Sequence, residues 1–160
     1  MPYGPLVVLT ALAALGSGVV AGIFFAFSAF VMRALGRLPP EQGMAAVQAI
    51  NVAVLNPWFF AAFFGTAALC VVLALPALFR WDEPGSIWLL AGSLLYLVGT
   101  ILVTMLFNVP LNDALAAADR GSTAGAGLWT RYLAEWTAWN HVRTAAPLAA
   151  AAAFMFALIK

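Results

Sequence analysis

Long apolar runs, broken by short polar clusters, set the pattern of this chain. Residues 6–32 are apolar except for Thr10, Ser17 and Ser28, and at 1.5 Å per residue a helix of that length crosses a roughly 30 Å hydrocarbon layer with some tilt. Residues 58–79, 87–107 and 144–159 read the same way. Trp58 stands at one boundary of the second run and Arg80-Trp81 at the other, where an aromatic belt places such residues. The pattern predicts an all-α fold, a four-transmembrane-helix bundle that makes residues 1–160 a single integral membrane domain. Ala14, Gly18, Gly22 and Ala26 form a small-residue ridge at four-residue steps, expected to pack closely on another helix, in the same chain or in a homo-oligomer.

The polar clusters predict what joins the spans. Arg33 and Arg37 end the first, and Pro39-Pro40 breaks the chain before Glu41, which suits the first turn of a new helix. Residues 41–55 read as a short amphipathic helix with Val47, Ile50 and Val54 as its apolar stripe and Gln48 and Asn51 as an adjoining polar pair. Asn56-Pro57 stops it, because a residue before proline is pushed out of helical geometry. Residues 80–86 form a short charged turn. The third span runs into Asn108-Val109-Pro110-Leu111-Asn112-Asp113, where Pro110 removes a backbone donor and is expected to end the helix. Residues 115–118 look helical, 119–127 read as a glycine-rich loop, and 128–141 predict a second short amphipathic helix. Val142 and Arg143 are where that helix would join the last span, with Pro76 and Pro147 as candidate kinks.

Four spans put both termini on one side and the two long connections on the other. The connection side carries Arg33, Arg37, Arg120, Arg131 and Arg143 against Arg80 and Lys160 opposite. The positive-inside rule then places the long connections in the cytoplasm and the chain in the cell (inner) membrane.

Composition narrows the classes of function. A chain that is 65% apolar and 8% charged, with mean hydropathy +1.01, has too little polar surface for a water-soluble domain of this size. A net charge of +1 and the lack of a GxxxxGK phosphate loop argue against nucleic acid as a partner. Cys70 is the single cysteine and His141 the single histidine, so no intrachain disulfide, CxxC pair or protein-only zinc or copper site is expected. Haem through His141 or a methionine finds neither CxxCH nor paired intramembrane histidines in support, although haem or a borrowed metal stays open. The amino terminus lacks a basic region and its apolar run exceeds a signal peptide's core, so it is expected to remain as a span. No span carries an acidic residue at its middle, which counts against a transporter.

Polar chemistry concentrates in residues 129–143, which hold half of the six tryptophans, the histidine and two basic residues. On a helix, Trp129, Tyr132 and Trp136 follow at three- and four-residue steps, and Trp136, Trp139, Asn140 and Arg143 continue as i, i+3, i+4, i+7. One face thus carries rings, an amide and a guanidinium. Such residues also gather at any bilayer interface without doing chemistry. Asn108 and Asn112, close to the expected end of the third helix, are a second polar cluster on the same membrane side, which points to a site between the two.

Taken together, Gly22-Ile23-Phe24-Phe25-Ala26-Phe27-Ser28, Gln48-Ala49-Ile50-Asn51 before Asn56-Pro57, Asn108-Val109-Pro110-Leu111-Asn112, and Trp136 through Trp139-Asn140-His141-Val142-Arg143 resemble the anthrone-oxygenase-like family of small four-helix membrane proteins. That resemblance implies oxygenation of a fused tricyclic anthrone to an anthraquinone, with dioxygen as co-substrate and without flavin or an established metal. The residues offer what such chemistry needs: a base, donors for a developing oxyanion and a greasy pocket for a hydrophobic aromatic small molecule. His141 is the candidate base, with Arg143, Asn108, Asn112 and Asn140 holding the oxyanion and Asp113 and Glu135 as substitute bases. Phe27, Gln48, Asn51, Tyr132, Trp136 and Trp139 are the candidate pocket. His141 and Arg143 are two residues apart and share a helix face only if the helix breaks between them.

A second class of function fits the same residues. As a non-catalytic module that binds a lipid or hydrophobic molecule or scaffolds a partner, the chain would use its asparagines as helix caps and pair Arg143 with Glu135, Asp113 or a lipid phosphate. A co-purified aromatic molecule favours the enzyme, a phospholipid or partner chain the module.

Overall fold

Each apolar run becomes a helix that continues past the run itself. In the computed structural model, which describes residues 4–160, the long helices are α1 (Gly4–Leu35), α3 (Pro57–Phe79), α4 (Ser86–Ala116) and α5 (Thr123–Leu158), all long and apolar enough to cross a membrane. A shorter helix, α2 (Pro40–Ala53), joins the first two. Its proline start and the Asn56 cap that follows both match the local sequence: Asn56 Oδ1 accepts from the Trp58 and Phe59 amides at 3.1 and 3.0 Å, satisfying donors that the first turn of α3 leaves free.

Pairings between helices fix their directions. Gly16 lies against Thr66, Gly92 against Phe154 and Gly99 against Ala146. Ser28 meets Thr144 at 3.1 Å, and the Tyr96 hydroxyl donates to Phe63 O at 2.9 Å. Spatial neighbours therefore run antiparallel, in the ring order α1, α3, α4, α5. One end of the bundle holds Gly4, Leu158 and the 80–85 turn; the other holds α2 and the 117–122 link.

Two apolar cores stack along this axis. Towards the termini, Ala13, Val20, Phe63, Cys70, Leu73, Tyr96, Ala150 and Phe154 are buried together. Towards the connections, Met32, Met44, Val47, Leu115, Trp129, Tyr132 and Trp136 form a ring-rich second core.

Three expectations change. α4 does not end at Phe107: it runs through Pro110 to Ala116, because its preceding turns widen into π-helical geometry over Leu97–Leu102 and Thr104–Asn108, which relieves the clash a proline ring makes in a tight helix. Residues 123–127 and the whole aromatic stretch belong to one continuous α5, so the second connection is only a short link and holds no helix of its own. The ridge of Ala14, Gly18, Gly22 and Ala26 does not pack as a unit inside the chain: Ala14 rests on the edge of the core, but a Cβ on Gly18 or Gly22 would meet nothing within 4 Å. The inward face is instead Ala13, Ser17, Val20 and Ala21, one residue away.

Candidate functional site

A buried polar network lies where the two cores meet. Asn140, fully buried on α5, donates through Nδ2 to Phe24 O and to Ser28 Oγ, both at 2.8 Å. Its Oδ1 accepts from Arg143 Nη2 at 2.9 Å. Arg143 Nη1 reaches Thr104 Oγ1 on α4 at 3.3 Å, and Thr104 donates to Thr100 O at 2.7 Å. Three helices are thereby tied to one guanidinium. The π-helical turns occur at this level, Phe27–Val31 in α1 and Thr104–Asn108 in α4, where they re-aim side chains that a regular helix would direct elsewhere.

Arg143 has an unusual setting for a cation. It is 4% exposed, and its guanidinium carbon sits 4.3 Å from the Phe24 ring centroid and 4.9 Å from that of Trp136, positions in which ring quadrupoles attract a positive charge. The ion pairs among the described residues, Arg80 with Glu83 and Arg131 with Glu135, do not involve it, and its Nε–H has no partner. A buried charge normally meets an opposite one. Here no carboxylate among the described residues takes that position.

The guanidinium lines an apolar cavity of about 200 Å³ to which all five helices contribute, room for far more than a water molecule. Its lining is mostly rings: Phe59, Phe60, Phe63 and Phe64 of α3, Phe24 and Phe27 of α1 and Trp136 of α5, joined by Ile50 and Asn51 of α2 and by Val54 just past its end. α3 packs on α4 near their shared turn but scarcely at its Thr104–Asn108 segment, so the cavity opens between them past Phe60, Phe64 and Val109, which are outward-facing. The polar lining is sparse: Arg143, Asn112, Asn51 and Thr104. Asn112 Oδ1 already accepts from Tyr132 Oη at 2.8 Å and from Trp136 Nε1 at 2.9 Å. What it offers the cavity is therefore its NH₂ donors.

Measured along the helices at 1.5 Å per residue, Asn140 lies about 27 Å from Leu158, Thr104 about 27 Å from Ser86 and Phe24 about 30 Å from Gly4. The network thus sits close to one hydrocarbon thickness from the terminal end of the bundle.

The sequence-predicted residues separate into three groups. Arg143, Asn112, Phe27, Asn51 and Trp136 line the cavity. Asn108, Asn140 and Tyr132 stand behind its wall: Asn108 is fully buried and donates to Trp136 O at 3.2 Å, and Tyr132 stacks at 5.8 Å on the Trp136 ring. The rest lie outside. Gln48 Nε2 is spent on Leu115 O at 2.7 Å, tying α2 to α4. Trp139 stacks on Phe107 at 3.6 Å. His141 is exposed and faces a separate groove between α1 and α5, because α5 continues unbroken and positions 141 and 143 point about 160° apart. The substitute bases are no closer: Asp113 is exposed, and Glu135 is exposed and accepts from Arg131 at 2.8 Å.

Sequence reasoning passed over Phe24, Thr104 and the aromatic face of α3. Thr100 and Thr104 were visible as hydroxyls one turn apart in an apolar span, and Phe59-Phe60 followed by Phe63-Phe64 repeats at helical spacing.

No curated protein and no solved structure matches the chain. The family model described as anthrone oxygenase matches residues 57–153, which takes in α3, α4 and α5 up to its last turn and contains Asn112, Trp136, Asn140 and Arg143. That match spans more than half of the sequence, and the chain belongs to the anthrone oxygenase family.

Proposed function

We propose that the protein is a membrane-embedded oxygenase that takes a flat, apolar phenolic substrate of the anthrone type, holds its conjugate anion against Arg143 and lets that anion react with dioxygen. The observation that carries this reading is an uncompensated buried guanidinium facing an apolar cavity. Family membership supports the reaction class.

The chemistry needs little from the chain beyond electrostatics. An opposite charge within about 4–6 Å lowers an acid's pKa by roughly 1–3 units, so the cavity makes the substrate itself more acidic. Since neither His141 nor a carboxylate lines the cavity, water at the mouth takes the proton. The delocalised anion passes an electron to dioxygen, the radical pair combines at the ring carbon, and loss of water from the hydroperoxide leaves a ketone. In sum a CH₂ group and O₂ become C=O and H₂O. Arg143 and the Asn112 NH₂ stabilise the oxyanion in both its resting and reacting forms. The basic excess at the connection end, which persists without Arg143, supports a cytoplasmic side for the cavity.

Turnover of emodin anthrone by the purified full chain in lipid nanodiscs, with and without air, tests this. Oxygen-dependent product above the uncatalysed rate is expected, with kcat/KM reduced about a hundredfold or more in Arg143→Gln and unchanged in His141→Ala. A rate equal to background removes the reaction for that substrate. The same cavity with a bound, unconverted amphiphilic anion would make the chain a binding module, and native mass spectrometry of the unreacted sample reads that outcome directly.

A further inference from the structure

A second concave surface lies across α5 from the cavity. It is a groove of about 450 Å³ between α1 and α5. Arg33 faces it from the last turn of α1 and Arg37 from the turn that follows, while Thr137 and His141 face it from one turn of α5 at i, i+4 spacing. No carboxylate lines it. Arg33 and Arg37 form no ion pair among the described residues, and the Thr137 hydroxyl is shielded from solvent without a hydrogen-bond partner.

The height of the groove matters as much as its charge. Ser28, at its inner end, accepts from Asn140 Nδ2 at 2.8 Å within the apolar run that closes at Met32, while Arg33 and Arg37 lie just past that run. Long cationic side chains at that depth belong to the headgroup region, where anionic groups concentrate and basic pockets between helices bind phosphate. The surface of α5 next to it is apolar and outward-facing at Val142, Ala145 and Leu148, suited to an acyl chain.

We propose that this groove binds a phosphate-bearing anion, with Arg33, Arg37 and His141 around the phosphate and the Thr137 hydroxyl as a further donor. The phosphate belongs either to an anionic phospholipid or to a free ion. The site is independent of the cavity chemistry, since it uses none of the cavity's lining.

His141 is the chain's single histidine, so its imidazole signals in ¹⁵N-histidine-labelled protein are unambiguous. At fixed pH, the full chain in phosphatidylcholine nanodiscs is titrated with short-chain phosphatidylglycerol and, separately, with inorganic phosphate. A saturable shift of His141 with the lipid is expected, weakened about thirtyfold in Arg33→Gln/Arg37→Gln, roughly fivefold for each surface cation. Arg80→Gln, at the opposite end of the bundle and paired to Glu83, leaves it unchanged. A shift with inorganic phosphate as well supports the site and names the free ion as a ligand; a shift with the lipid alone names the lipid. The proposal is overturned if neither probe moves His141, if the double variant titrates like the parent, or if Arg80→Gln weakens binding as much as the pair.

Discussion

The two ends of the bundle are held together by different physics. Towards the termini, helices meet through small residues: a Cβ on Gly99 would collide with Ala146 Cβ, and one on Gly92 would press on the Phe154 ring at 2.8 Å. Such packing works by close backbone approach and dispersion, which is what remains when lipid is as apolar as the protein. Towards the connections, the contacts are rings and directed hydrogen bonds: Asn140 to Phe24 and Ser28, Asn108 to Trp136, Tyr132 and Trp136 to Asn112. The first end has no polar group to spare for a ligand beyond isolated hydroxyls. The second satisfies most of its polar atoms internally; besides Asn108 Oδ1 and the Thr137 hydroxyl, which lie off the cavity, it leaves over the Arg143 Nε–H and the Asn112 NH₂. That remainder, set in an apolar cavity, is what distinguishes a site from a scaffold.

Replacing the centre of the network should have the largest effect. Asn140→Leu removes the acceptor of Arg143 and two donated hydrogen bonds at once; bonds to charged groups are worth about 1.5–3 kcal/mol each, so a loss of about 3 kcal/mol is expected in reversible unfolding from mixed micelles. A change below about 1 kcal/mol would mean that the network is ornamental to stability. At the close-packed end, Gly99→Val should cost about 1–3 kcal/mol by forcing α4 from α5. Gly18→Ala, on the outward ridge, should be neutral or gain up to about 1 kcal/mol of helix stability. Equal effects at positions 99 and 18 would contradict the helix rotation seen for α1 and the α4–α5 contact together.

Much of this architecture was legible from hydropathy alone. Four apolar runs gave four spans, and Asn56-Pro57 and Pro39-Pro40 bracketed α2 closely, because caps and prolines act locally. What could not be read was geometry that depends on neighbours. Pro110 looks like a helix end unless one knows that the turns before it are widened. The small-residue ridge and the true inward face of α1 differ by one residue, about 100° of rotation, which composition does not resolve. For the site, the clusters around Asn108, Asn112 and residues 136–143 were visible because amides and a guanidinium are rare in apolar sequence. The assignment of His141 to the cavity failed on continuity: it required α5 to break, and nothing in Trp139-Asn140-His141-Val142 breaks a helix. The α3 wall was hidden because phenylalanines in a span read equally as lipid-facing.

The smaller predictions refine the cavity wall. Tyr132→Phe removes one of the two donors on Asn112 Oδ1, worth about 1 kcal/mol, and should raise KM more than it lowers kcat, since the NH₂ becomes less well aimed. Thermal unfolding and steady-state kinetics read the two effects separately. Gln48→Ala frees α2 from Leu115 O and should loosen the end of the cavity, seen as faster amide exchange over residues 46–53 with little change in global stability.

If Arg143 receives an aromatic anion, the ionisation of a bound ligand reports it without any turnover. Under anaerobic conditions, the absorption of emodin anthrone bound to the full chain is followed against pH beside the ligand in empty nanodiscs. A midpoint lowered by about 1–3 units in the parent, and back at or above the empty-nanodisc value in Arg143→Gln, is the predicted result. A bound ligand that ionises at the same pH as in lipid alone, or at a higher one, would contradict it.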